Sequence, residues 1–523
     1  MKTRYAVTAI FISIILCAAA QAENQLVIKT NHMYNMAATG EPLTVTITSE
    51  NEQAYDGTLK TRVIDFYGET FQNESSNIEK GKPLSETITI AALPPGFYRV
   101  QTMLVSGGEK LKATASLAVL EPRTSNSHNS MYGINGCTNP ELLNLAGIPW
   151  RRLDISWPGI EKEQGVFDFS RYDARVDPLA KGGINLLGIL DYTPRWAAKI
   201  PDNYAEIPDG PHKGWGHFPP RDVNEWQNFV VKTIEHYRGK IKYWEIWNEP
   251  YPNSLFFNGG SVQDYIDILE ATYARGKEIC PECTFVGLGG TNSQHAKMVF
   301  ASGGLNLMDI ASIHTYQPGT APEFGIFKSN IQETFAEMRE NDKLIPLWLT
   351  ESGWPTHKGM SDVWIASTEE DQARYLVRSF IIAKSEGIEN FFWYTFSNGQ
   401  PDPTNFERNQ GIVYHDSTPK PSFVSFAVMT NQLGGLDLLQ LKQFGKREYA
   451  ALVANEGKYI FVVWTTGKKK ALRVDMPELK KARFINMMGG PLDPANGSIS
   501  ISRSPVYIVI DKNVSEDALK NVF

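Results

Sequence analysis

The sequence predicts an α/β fold: a (β/α)8 TIM barrel flanked by an N-terminal Ig-like β-sandwich and a small C-terminal β domain. Three observations carry this expectation. Between residues 131 and 433, eight short apolar runs alternate with helix-length amphipathic stretches, the rhythm of βα units that close into a barrel. Ahead of that stretch the apolar period is two, with turn residues between the runs, and beyond Gly434 the period of two returns. At 523 residues the chain is too long for one ordinary domain, and a hydrophobic content of 42% provides for a large core.

Residues 1–22 read as a secretory signal peptide. Lys2 and Arg4 precede an apolar stretch over 6–20, and Ala20-Gln21-Ala22 offers the small-x-small cleavage pattern, so the mature chain is expected to begin at Glu23 and to be secreted or periplasmic. A lipid anchor on Cys17 is disfavoured because Leu16 is bulky where such sites take a small residue. The apolar stretch is short for a bilayer, no later run approaches roughly 18 apolar residues, and no membrane span is expected.

Residues 23–122 carry the alternating runs of the sandwich, at 26–29, 43–48, 61–66, 97–105 and 113–120, with turn signals at Pro94-Pro95-Gly96 and Ser106-Gly107-Gly108. The aromatic residues here, Tyr34, Tyr55, Phe66, Tyr67, Phe71, Phe97 and Tyr98, fall in or beside strands and include no tryptophan. They are expected to support the fold and not to grip a ligand. A polar, turn-prone linker follows at 123–130. Barrel strands are expected at 132–134, 150–155, 185–190, 241–247, 284–288, 310–314, 346–350 and 390–394. Among the helices, 261–279 places Tyr265, Ile268, Leu269 and Tyr273 on one face, and 367–385 opens with the capping box Ser367-x-x-Glu370 and stops near Gly387. The C-terminal domain, 434–513, shows strands at 449–453, 459–464, 471–474 and 506–510. Its Lys468-Lys469-Lys470 run reads as a solvated turn.

The formal charge is −7, and loss of Lys2 and Arg4 with the leader takes it to −9, which argues against nucleic acid or an anionic membrane as partner. Cys280-Pro-Glu-Cys283 suits a local disulfide in an exported chain. A zinc site there would need ligands that no second CxxC or paired histidines supply, so neither metal nor organic cofactor is expected.

Two runs concentrate the chemistry. Tyr243-Trp-Glu-Ile-Trp-Asn-Glu-Pro250 and Trp348-Leu-Thr-Glu-Ser-Gly-Trp-Pro355 are apolar strands that each end in a glutamate, Glu249 on the fourth strand and Glu351 on the seventh, 102 residues apart. Barrel sites lie where strands end and helices begin, so both carboxylates belong to one mouth. A glycosidic bond needs such a pair, one group to protonate the leaving oxygen and one to meet the oxocarbenium ion. Glu245, at mid-strand, is expected to point into the barrel as a buried, paired carboxylate. Trp157, Trp196 and Trp354, just past their strands, suit either sugar platforms or loop packing. His236 and His357 read as surface residues.

These strands resemble the acid/base and nucleophile strands of the clan A retaining glycoside hydrolases. The resemblance implies roles for further residues. Arg152 is similar to the second-strand arginine that supports the nucleophile, and Asn248 to the residue that binds the sugar 2-hydroxyl. His314 and Tyr316 resemble the sixth-strand pair, with the phenol hydrogen-bonded to the nucleophile, and Trp393 resembles the eighth-strand tryptophan that floors the sugar subsite. Cellulase-type members carry a histidine after the third strand, where this chain has Asp191-Tyr-Thr-Pro-Arg-Trp196. That segment, Gln164-Gly-Val-Phe-Asp-Phe-Ser170 and Ser504-Pro-Val-Tyr507 are closest to glycoside hydrolase family 39, the β-xylosidase and iduronidase type, while Glu351-Ser-Gly-Trp-Pro355 is similar to β-1,3-glucanases.

The implied activity is retaining hydrolysis of a β-linked polysaccharide or oligosaccharide, with Glu351 as nucleophile and Glu249 as acid/base. Glu249 is expected in the drier, more repulsive position, and Glu351 beside Arg152 and Tyr316, with the two carboxyl groups about 5–5.5 Å apart. A glycan-binding surface protein without catalysis, and a transglycosidase using the same covalent intermediate, are the alternatives. The insertion at 197–224 is long enough to close the cleft.

Overall fold

The computed structural model describes residues 26–50, 54–78, 81–123, 128–202, 204, 217–359, 364–511 and 514–523. The expected leader, with Cys17 and the cleavage site near Ala22, lies outside the described residues. So do residues 124–127 of the expected linker and residues 203 and 205–216 of the insertion.

Eight parallel strands close the barrel. They are numbered β1 (Tyr132–Asn135), β2 (Trp150–Ser156), β3 (Asn185–Asp191), β4 (Tyr243–Ile246), β5 (Thr284–Thr291), β6 (Ile310–His314), β7 (Leu347–Ser352) and β8 (Phe391–Trp393), and β8 returns to pair with β1. Side chains alternate across a strand, so every second residue enters the barrel. At the N-terminal end, Trp150, Tyr243, Trp348 and Phe392 meet with Leu187, Val286 and Ile310 to form an aromatic plug. Trp150 packs edge-to-face on Tyr243 at 4.9 Å and on Trp348 at 5.3 Å. Two residues further along the same strands stand Arg152, Glu245, Ser312 and Thr350. Glu245 is fully buried, as its mid-strand position predicts, and accepts hydrogen bonds from Arg152 Nε, Ser312 Oγ at 2.8 Å and Thr350 Oγ1 at 2.9 Å. A carboxylate so deep is tolerable only when paired and bonded in this way.

The helices pack their apolar faces on the strands. Helix Val262–Ile279 starts with a capping box between Ser261 and Asp264 and buries Tyr265, Ile268 and Leu269. Helix Glu369–Ser385 differs from expectation: its cap is Thr368, whose hydroxyl accepts from the Asp371 amide at 3.0 Å, and not Ser367. Glu370 instead pairs with Arg99 of the sandwich at 2.9 Å. The helix starts one residue later than expected, with Asp371 and not Glu370 three residues past the cap. Cys280 and Cys283 form a disulfide, and Cys137 is a buried free thiol. Among the described residues no helix is long and apolar enough to cross a membrane.

The N-terminal unit is a sandwich of a three-stranded and a five-stranded sheet around Val45, Ile47, Leu59, Val63, Val100 and Leu104. It is antiparallel except that Met36–Ala38 runs parallel to Glu109–Leu120. It does not stand apart. Phe66, Phe97 and Leu120 join the barrel's own hydrophobic cluster, and Arg123 donates to Thr430 Oγ1 at 2.9 Å. The C-terminal unit builds a six-stranded and a two-stranded sheet, and the closing helix Glu516–Lys520 tucks Leu519 into their core. A buried pair, Arg378 to Glu323 at 2.7 Å, receives the Trp464 indole N–H on its second carboxylate oxygen and so ties this unit to the barrel wall.

Candidate active site

At the C-terminal mouth of the barrel the regular alternation breaks, and the breaks aim the candidate residues. Trp348 and Thr350 point inward, so Glu351 would face the helices in a regular strand. A register shift between Ile313 and His314 in the pairing with β6 sets Glu351 opposite His314, and a second one between Leu349 and Ser352 in the pairing with β8 turns it into the mouth. At the end of β4, Trp247 and Glu249 adopt left-handed backbone, φ +65° and +50°, which costs on the order of 1–3 kcal/mol each. Gly290 (φ +78°) makes room beside them, for a Cβ there would lie 1.9 Å from His314 Nε2.

Arg152 is the hub. It is buried and donates to Glu245 through Nε, to Glu351 Oε1 through Nη1 at 2.5 Å and to Asn248 Oδ1 through Nη2 at 2.8 Å. Burial alone would lower its pKa, but the charges of Glu245 and Glu351 outweigh that and raise it, so the guanidinium stays charged. Glu351 Oε2 accepts from the Tyr316 hydroxyl at 2.7 Å. Burial and then the Glu351 charge push the Tyr316 phenol well above its ordinary range, so it serves as a donor. Glu249 Oε1 lies 2.7 Å from His314 Nδ1, which is 3.6 Å from Glu351 Oε2. With Asn248 Oδ1 held by Arg152, its Nδ2 is left facing Tyr192 Oη at 3.4 Å. A carboxylate oxygen of Glu249 comes within 4.8 Å of one of Glu351.

Glu249, His314 and Glu351 each present an atom close enough for a shared cation. Both oxygens of Glu351 already accept hydrogen bonds, one from a guanidinium whose positive charge opposes a metal ion at that position. The donor set suits proton and sugar chemistry better.

A cavity of about 460 Å³ opens here. It brings together Arg152, Asn248, Glu249, Tyr316 and Glu351, with His314 behind Glu249. Besides His314, three expected residues are not in its lining. Trp393 is fully buried against Trp354, ring centroids 5.5 Å apart. The reason is strand parity: Phe392 enters the barrel, so Trp393 faces the helices and Tyr394 reaches the cavity. Trp354 is buried with its indole N–H on Thr320 O, and Trp196 binds Glu161 O and packs on Trp157 at 5.6 Å, so both pack loops. His236 is exposed and bonded to Asp173, but His357 is buried, contrary to the surface position expected of it. Glu249 also departs from expectation. Its side chain is the more exposed of the two glutamates, 22% against 13%, so the pair differs by hydrogen-bond partners and not by a drier Glu249.

The cavity adds Asp154, Tyr192, Trp364, Tyr394, Phe406 and Glu407. Asp154 and Tyr394 were legible in principle, each two residues past an inward neighbour on its strand. Trp364 stacks on Phe406 at 5.1 Å and 13°, an aromatic wall made by two loops far apart in sequence that no local signal joins. Burial and then the Glu351 charge raise the Glu407 carboxyl, which faces Tyr394 Oη at 3.4 Å.

No family model matches the chain. Among curated proteins, endo-1,4-β-xylanase B of Neocallimastix patriciarum is 25% identical over 118 residues, 21% of this chain, and the match spans 11% of that protein's length. Among solved structures, a family 39 glycoside hydrolase from the gut symbiont Bacteroides cellulosilyticus WH2 superposes with a TM-score of 0.71 at 21% identity, covering 93% of this chain and all of that one. A family 39 β-xylosidase from Caulobacter crescentus gives 0.54 at 14% identity over 74% of this chain and 98% of that one. A glucosidase from Croceicoccus marinus gives 0.52 at 14% identity over 75% and 98%. At these identities the likeness is one of fold, and in the first case it extends beyond the barrel into the flanking units.

Proposed function

We propose that this chain, built on the fold shared by family 39 glycoside hydrolases, is an exported retaining glycoside hydrolase of β-linked oligosaccharides or polysaccharides. The observation that carries the reading is the approach of Glu249 and Glu351 to within 4.8 Å at one barrel mouth. Inverting pairs stand roughly 6.5–9.5 Å apart to admit a water, whereas a closer pair lets one carboxylate attack the sugar itself. The sequence pattern of residues 1–22, read as a leader, supports export.

The partners assign the roles. Glu351, held at both oxygens by Arg152 and Tyr316, is the nucleophile: it attacks the anomeric carbon while Glu249 gives its proton to the departing oxygen. Glu249 then takes a proton from water, the water oxygen bonds to the anomeric carbon, and Glu351 leaves as a carboxylate. His314, 2.7 Å from Glu249, orients the acid/base, and Asn248 Nδ2 is the donor left for a sugar hydroxyl. β-Xylosides are the first substrates to try, because a fold neighbour is named as a β-xylosidase and the curated relative as an endo-1,4-β-xylanase.

The test uses aryl β-xylosides and β-glucosides alongside xylan, mannan and β-glucan, with the anomer of the first product read by NMR. Retention is expected. Glu351→Gln should abolish turnover of every substrate, whereas Glu249→Ala should keep turnover of dinitrophenyl glycosides and be accelerated by azide. An inverted product, or equal losses on activated and natural substrates, would refute the assignment.

A further inference from the structure

A second site stands outside the barrel mouth. Three separate segments of the C-terminal unit bring Arg447, Lys468, Lys469 and Arg503 around a cavity of about 510 Å³, with Thr466 and Ser502 between them. None of these four cations has an ion-pair partner among the described residues, whereas neighbouring Lys470 is paired with Glu448 at 3.2 Å. The framework is set by the backbone: the Thr466 amide donates to Arg447 O and the Thr465 amide to Ser502 O, each at 2.9 Å. The Lys468-Lys469 pair is exposed, as expected of a solvated turn, and also forms one edge of a tertiary cluster. Four unneutralised like charges repel one another, and a chain of net charge −7 has anions to spare for pairing them.

This cavity continues into another of about 460 Å³, through the shared Arg374, Lys469 and Ser502. The second cavity lies where the sandwich, helix Glu369–Ser385 and the C-terminal sheets meet. Phe71 stands on its sandwich side, 38% exposed, against the supporting role expected of it, while Tyr67 leaves part of its ring exposed but buries its hydroxyl against the Met487 and Met488 backbone and so supports the docking of the sandwich. Pyranose C–H faces pack on such a ring; the Asp65 and Glu69 carboxylates of this second cavity, and the pairing of Arg374 with Asp371, leave the binding of carboxylates or sulfates to the four-cation cluster, through charge-assisted hydrogen bonds. Arg374 lies near the start of the helix that follows β7, so the groove runs along the outer wall toward the end where the candidate active site opens.

We propose that this groove is an accessory binding site for an acidic glycan, a chain carrying uronate carboxylates or sulfate esters. The net negative charge of the whole disfavours nucleic acid and anionic membranes, whose extended phosphate surfaces meet the protein's overall field. A short run of sugar anions needs only the local cluster.

The test is affinity electrophoresis and calorimetry of the full chain with polygalacturonate and dextran sulfate, with neutral xylan, single-stranded DNA and phosphatidylglycerol vesicles as controls. It is run also on Glu351→Gln, which cannot consume a polymer, so the outcome stands apart from whether the glycosidase reading holds. Binding of at least one acidic polysaccharide is expected, weakening with salt. It should fall about tenfold or more in the triple variant Lys468→Ser, Lys469→Ser, Arg503→Gln, and also in Phe71→Ala. Turnover of a small aryl glycoside should stay unchanged in both. Undiminished binding by the triple variant, no binding by the parent chain, or equal binding of DNA or vesicles would overturn the proposal.

Discussion

Replacing Tyr316 by Phe removes one atom and, with it, one hydrogen bond: the phenol hydroxyl donates to Glu351 Oε2 at 2.7 Å and makes no other hydrogen bond among the described residues. The ring should stay, since Trp364 packs edge-on at 5.1 Å and Tyr394 at 6.4 Å. A hydrogen bond to a charged group contributes about 1.5–3 kcal/mol net. In the proposed cycle Glu351 becomes a carboxylate leaving group in the second step, and there the phenol meets charge as it develops. Losing the bond should therefore slow deglycosylation by about 10–150-fold. Attack by Glu351 should suffer less, because Arg152 still holds Oε1 at 2.5 Å. The assay is stopped-flow release of dinitrophenol from an aryl β-glycoside. The variant should show a full burst followed by a steady rate reduced by that factor, with an unchanged unfolding curve. A steady rate within threefold of the parent, or a lost burst with normal deglycosylation, would refute the placement of Tyr316 against the nucleophile.

Tyr394→Ala should raise KM with little change in stability, whereas Trp393→Ala should cost about 3–5 kcal/mol in denaturant unfolding, because only the tyrosine reaches the cavity. Equal KM effects would return Trp393 to the sugar site. Gly290→Ala should displace His314 from Glu249, and turnover of glycosides with poor leaving groups should fall about a hundredfold or more while dinitrophenyl substrates suffer less. Similar losses on both would break the link between Gly290 and the acid/base. Asp191 is fully buried, and burial, then the Asp154 charge, holds its carboxyl well above the ordinary range. A carboxyl raised in this way binds its proton more tightly folded than unfolded. Its contribution is whole below pH about 4 and is lost as pH rises toward the folded value. Asp191→Asn should therefore be at least as stable as the parent at pH 7, with the advantage shrinking as pH falls to 4; a variant less stable at pH 7 than at pH 4, relative to the parent, would contradict a neutral Asp191.

Much of the site was legible because it rests on short-range rules. Arg152 and Glu245 stand at inward positions of their strands, and Glu249 and Glu351 end theirs. Tyr316 follows His314 by two residues past β6. The misreadings have physical causes of their own. Trp393 was placed in the sugar site by resemblance, although the parity of Phe392 turns it outward. Ser367 lost the helix cap to Thr368, since the local sequence offers two adjacent hydroxyls with an acidic residue three positions on, and Glu370 pairs instead with Arg99 of another unit. His357 lies in a loop, and nothing in its neighbours announced that other loops would bury it.

What the sequence determined by itself is the order and parity of the elements: a two-residue period for the flanks, eight apolar runs with helices between them for the barrel, and two glutamates at strand ends that must share one mouth. Those are local properties, set by backbone geometry and by which side chains face the core. Only the tertiary structure decided the rest. The register shift that turns Glu351 inward, the Trp364–Phe406 wall and the four-cation groove each join segments far apart in the chain. Their energies come from packing and charge that exist only once the barrel has closed and the flanking sheets have docked on it, so no window of the sequence contains them.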